Sequence, residues 1–135
     1  MNTFETYFEE SYASIKFSLS LKLVEIVFTD SKITGAQYKL ALSKALVVLK
    51  QNDILKWLID IGTKKHIPDK DKAWLKDYLI PDLIEAGINK IAFIISQGNF
   101  DDEQKHQLTD IAKIKNAEVH FYNSKEEARE WLNVL

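Results

Sequence analysis

The residue best placed for chemistry is Asp60, which follows the apolar stretch Trp57-Leu58-Ile59 within Leu55–Gly62. A carboxylate in that position is expected to be partly buried, so it must be hydrogen-bonded or neutralised. Its plainest use is to accept amides of its own loop and fix the turn. The other candidates are Asp30, Thr63, Lys64, Lys65, Ser96 and Asn99, where apolar runs give way to polar residues. Thr63-Lys64-Lys65-His66 is the one local basic cluster, suited to an anion, to a partner's acidic patch, or to plain solvation. These seven residues are read as ligand-binding or partner-binding loop positions, and none as catalytic.

Several specific chemistries fail on missing parts. A phosphoacceptor role for Asp60 in the manner of response-regulator receivers needs an acid pair, a hydroxyl and a lysine after successive strands. Ser96 supplies the hydroxyl, but no acid pair follows an early strand and Tyr122-Asn123 stands where the lysine belongs. His66, His106 and His120 have no i, i+4 partner, so no metal site is expected. Asp69-Lys70-Asp71 resembles half a calcium loop, yet Trp74 replaces its glycine and Ile80 its bidentate glutamate. It reads better as an acidic helix start that complements the dipole, as does Asp101-Asp102-Glu103. With four glycines and no G-x-G-x-x-G or Walker pattern, a backbone phosphate cradle is not expected, and no cofactor is called for. Trp57, Trp74 and Trp131 lie within apolar patterns and read as core.

Alternation gives strands over Ser11–Phe17 and Lys22–Phe28, with Ala13, Ile15, Phe17, Val24, Ile26 and Phe28 on one side. Ser18-Leu19-Ser20-Leu21 allows only a tight reversal, so the pair is expected to be an antiparallel hairpin. Thr34 and Gln37 form a capping box before a helix with Tyr38, Leu42, Ala45 and Leu49 inward, ending at Asn52-Asp53. Leu55–Gly62 then reads as the buried middle strand. A helix over Asp69–Ala86 contains Pro81, which is expected to kink or divide it near Tyr78 to Ile80, and Gly87 suits the left-handed stop. Lys90–Ser96 is a second interior strand, Gln97–Phe100 a loop, Asp101–Asn116 a helix and Val119–Tyr122 a short strand. Ser124 with Glu127 makes a second capping box for a last helix carrying Ala128, Trp131 and Leu132.

The order is β-β-α-β-α-β-α-β-α, an α/β fold with a mostly parallel five-stranded sheet and one antiparallel edge strand. Residues 1–10 read as an N-terminal arm or an extra edge element, and 11–135 as a single domain. The 18 basic and 20 acidic residues leave no one-sign field, so neither nucleic acid nor an anionic membrane surface is an expected partner. Absent cysteine removes disulfides and thiolate chemistry. The first twenty residues lack a signal-peptide pattern, and no apolar run reaches the roughly 20 residues that span a bilayer, so the expected location is the cytoplasm.

Ile33-Thr34-Gly35, Leu58-Ile59-Asp60, Trp74 with Pro81 and Gly87, and Lys90-Ile91-Ala92, set in that element order, carry a family likeness. With them the chain resembles the STAS domain, the fold of anti-sigma-factor antagonists and of sulfate-transporter tails, and within it the small bacterial SpoIIAA-like (STAS/SEC14-type) proteins. The resemblance covers roughly residues 11 to 135. Its most specific part is the tail running from Phe121-Tyr122-Asn123-Ser124 through Glu126-Glu127-Ala128 to Trp131-Leu132. It implies the fold and binding of a protein partner. It does not imply the family's phosphorylation switch, because Lys70 stands near where the switch serine would be and the nearest hydroxyl is Thr63.

Uniform right-handed crossovers would collect the helices on one face of the sheet. The other face, carrying Tyr12, Leu23, Val27 or their alternates, would then need the arm, a second copy of the chain or an apolar ligand to cover it. A homodimer is the favoured cover. Function is accordingly expected to be a non-enzymatic binding or regulatory module working through protein contacts. The alternative is a small apolar-ligand or lipid-binding protein, and third comes an enzyme joining Asp60 to Ser96 or His120.

Overall fold

The computed structural model describes residues 4–29, 34–61, 67–96 and 98–133. Within them, one sheet holds six strands in chain order: β1 (Glu5–Glu9), β2 (Ala13–Ser18), β3 (Leu23–Phe28), β4 (Lys56–Asp60), β5 (Lys90–Ile94) and β6 (Glu118–Tyr122). β1, β2 and β3 are antiparallel neighbours, while β3 to β6 run parallel. The α/β class and mostly parallel sheet are as expected, and β4 is interior, flanked by β3 and β5. The strand count is six rather than five because Glu5–Glu9 pairs with β2, making two antiparallel strands at that edge. A register shift between Thr6 and Phe8 lets Phe8 face Ile15 and pack edge-on against Tyr12. Glu5, Glu9 and Glu10 on this outer strand and its exit discourage pairing with another chain.

Helix α1 (Gly35–Gln51) opens with the complete Thr34–Gln37 capping box and closes at Asn52. After β4, α2 (Asp69–Trp74) passes through a π turn (Leu75–Leu79) into α3 (Ile80–Glu85). Proline explains that widening. Pro81 has no N–H for the Asp77 carbonyl and its ring crowds it, so the preceding turn opens and Ile80 N–H donates to the Leu75 carbonyl five residues back. The predicted division is therefore a π turn that keeps the helix continuous. At its end Gly87, at φ 110°, and Ile88 donate to Ile84 and Leu83, a Schellman stop.

Helix α4 (Asp102–Ile114) has its own capping box, Asp101 with Gln104, a specific role for an acid read only as a dipole partner. Helix α5 (Lys125–Leu132) begins at Ser124, whose hydroxyl accepts from Glu127 N–H at 3.3 Å, one half of the expected capping box.

The main core packs α1, α2, α3 and α4 against one face, on Ile15, Val24, Ile26, Trp57, Ile59, Ile91 and Phe93, all fully buried. α5 does not join them. Ala128 and Leu132 pack with Leu23, Leu58, Ala92 and Ile94, the alternating residues of the opposite face. This corrects the expectation that all helices share one face. The crossover rule governs helices that link two parallel strands; α5 follows the last strand and is free to fold back over the other side. The apolar face is thus covered by the chain's own last helix, and the homodimer loses the bare surface that favoured it. Among the described residues, no helix is long and apolar enough to cross a membrane.

Candidate functional site

In an open parallel sheet the carboxyl ends of the strands are the usual binding edge, because the connecting loops part there. Here the ends of β5 and β6 frame a cleft of about 480 Å³. Ile95 N–H donates to the Tyr122 carbonyl at 2.8 Å, extending the pairing one residue past β5. The chain then reverses around Ser96, whose backbone N–H and hydroxyl both donate to the Asn99 side-chain oxygen, at 2.8 and 3.2 Å. Asn99 N–H returns a bond to the Ser96 carbonyl, and Asn99 is fully buried. This closed loop delivers Phe100 into the core beside Phe93 and Phe121, at ring separations of 6.1 and 5.8 Å.

The cleft therefore has an aromatic floor of Phe100 and Phe121 and a polar rim of Ser96, Lys105, Asn123 and Glu127. Lys105 and Glu127 set opposite charges on that rim. Partial burial, with Glu127 nearby, pushes the Tyr122 phenol above its ordinary value. The arrangement can hold an apolar group on its floor and orient it with hydrogen bonds at the rim. Ser96 serves as an organiser of the loop, since its hydroxyl proton is directed at Asn99.

The predicted residues divide sharply. Ser96 and Asn99 come together at the cleft. Asp60 ends β4 between Val27 and Ile94, half-buried. It shares a sheet face with His120, but two strands away and one pair of residues lower, roughly 12 Å at standard strand spacings. His120 is stacked on Trp131 at 4.2 Å instead. Asp60 and His120 are thus not joined in one site. Asp30, Thr63, Lys64 and Lys65 lie outside the described residues, as does His66.

Three features escaped the sequence reading. Glu25, on the opposite side of β3 from Val24 and Ile26, is 4% exposed and bound by Arg129. Asp71, read as a dipole partner, is fully buried. Lys72 reaches Gln104 across the gap between α2 and α4. The near-apolar setting of Glu25 (Leu-Val-Glu-Ile-Val-Phe) was a usable signal; nothing local pointed to the other two.

What the fold and cleft define is a class, an open α/β domain with a cleft outside the carboxyl ends of its parallel strands. No family model, curated protein or solved structure matches the chain.

Proposed function

We propose that the chain is a cytoplasmic, non-enzymatic binding or regulatory module of the SpoIIAA-like/STAS type, and that a partner protein docks at the β5–β6 cleft. The observation that carries this reading is the cleft itself, an aromatic floor under a rim of mixed charge. Such a hollow suits one anchoring side chain from a partner, with polar contacts around it excluding water. Further support comes from the element order, in which an antiparallel start leads into parallel strands linked by helices and a terminal helix. From β2 onward this is the β-β-α-β-α-β-α-β-α order that the resemblance implies, with β1 added before it. Lys70 in place of the switch serine leaves docking without phosphorylation at that position.

A second reading, a small apolar ligand in the same cleft, is favoured by its volume, which falls within the roughly 300–1,000 Å³ usual for such sites. Affinity capture from the native host should separate them, comparing wild type with Lys105→Glu and Asn123→Arg. The proposal expects one partner protein, lost from both variants, and an empty wild-type chain in native mass spectrometry. Equal capture by both variants overturns it. A co-purifying small molecule establishes the second reading instead.

A further inference from the structure

A second hollow, of about 220 Å³, lies between α2 with its π turn and α4, on the other side of Phe100 from the cleft. Its floor is apolar: Phe100, 5% exposed, and Leu108, 3% exposed. Its walls carry Lys72 and Lys76 from one helix and Gln104 and Gln107 from the other, with Asp69 at one end.

Lys72 is half-buried. Its ammonium donates to Gln104 Oε1 at 3.1 Å and lies 5.6 Å from the Phe100 ring centroid. No carboxylate among the described residues pairs with it. An ammonium has three N–H donors, so two remain for a ligand. Gln104 Oε1 is already shared between Lys72 and the Asp101 N–H of the capping box, which leaves the Gln104 amide NH₂ as a further donor. One turn on, Lys76 adds a second cation whose contact with Asp77 is loose, at 3.9 Å and exposed. Two lysines against one aspartate give the lining a net charge of +1, the complement of a monoanion.

We infer that this groove binds a small monocarboxylate, with its carboxylate on Lys72 and Gln104 and its apolar body on Phe100 and Leu108. Donors of these types suit a carboxylate because charge-assisted hydrogen bonds are the stronger kind. The volume is below the usual range for drug-sized ligands, so the body is a single ring or a short chain. The groove shares Phe100 with the partner-docking cleft but none of its polar groups, so the two readings are tested separately.

Benzoate is the probe, titrated into the ¹⁵N-labelled full chain at low salt, with benzyl alcohol as the neutral counterpart. Saturable shifts are expected at the amides of Lys72, Lys76 and Gln107 with benzoate and not with benzyl alcohol. Lys72→Met is expected to weaken binding by about tenfold at unchanged thermal midpoint, and Lys76→Gln by a few-fold. The inference is overturned if no shift saturates up to about 20 mM, if both variants bind like wild type, or if the shifts gather at Ser96, Asn123 and Glu127.

Discussion

Arg129 on α5 grips Glu25 on β3 through two hydrogen bonds, Nε to Oε2 at 2.9 Å and Nη2 to Oε1 at 2.7 Å, across 104 residues of sequence. Lys125 adds a weaker contact at 3.8 Å. The Glu25 hydrogen bonds hold the Arg129 guanidinium above its ordinary pKa, against the opposing pull of burial. The pair fastens the last helix to a face of the sheet it reaches by no crossover. Removing Arg129 leaves a buried carboxylate with only a distant lysine. We expect Arg129→Ala to cost about 2 kcal/mol in urea unfolding, below the range for fully buried pairs because Arg129 is partly exposed. Adding Glu25→Gln to that variant should recover part of the loss, and equal stability of single and double variants would refute the account.

Removing α5 altogether tests what it covers. A chain ending at Asn123 bares Leu58, Ala92 and Ile94 together. Contiguous apolar surface of this kind drives association. The shortened chain is expected to self-associate in light scattering under conditions where wild type does not.

Asp71 is fully buried, and neither carboxylate oxygen has a hydrogen-bond partner among the described residues. It lies close against Gly35 at the start of α1, where an added Cβ would stand 3.2 Å from Oδ1. An unpaired buried charge costs more than a neutral polar group of the same shape. Asp71→Asn is therefore expected to raise unfolding free energy by about 1–2 kcal/mol. Gly35→Ala, pressing a methyl group onto the carboxylate, should lower it.

Tyr38 packs between Phe28 and Trp74, at ring separations of 5.2 and 6.3 Å. Burial first, and the Asp71 charge second, push its phenol far above the ordinary value. The folded state keeps the Tyr38 proton while the unfolded state loses it near pH 10. Its contribution is thus whole below pH ~10 and declines above that by about 1.4 kcal/mol per pH unit. Tyr38→Phe should lack this decline, so the difference between the two unfolding curves should be flat to about pH 9 and shift in the variant's favour beyond.

Gly87 holds φ at 110°, and a methyl group added to its Cα would meet nothing within 4 Å, so any penalty there is conformational and owes nothing to crowding. Gly87→Ala is expected to cost about 1–2 kcal/mol in thermal or urea unfolding.

Most of the framework was legible in local spacing. Period-two alternation located β2 and β3 and the side each turns inward, and the Thr34–Gln37 pair located the start of α1. Gly87 and Pro81 marked a stop and an irregularity because their backbone limits act on the nearest few residues. The candidate site was half legible: Ser96 and Asn99 announce a turn by type, but their joint hold on Phe100 depends on the aromatic cluster it enters.

Capping, turn chemistry and side-chain periodicity act within a few residues, so one chain written out in order already contains them. The side of the sheet taken by α5, the burial of Glu25 and Asp71, and the meeting of Lys72 with Gln104 depend on residues 104, 36 and 32 positions away, or on loops that only packing brings near. No local preference separates those outcomes; the free energy of burying Leu58, Ala92 and Ile94 under the final helix, and of pairing the charge that burial encloses, decides them.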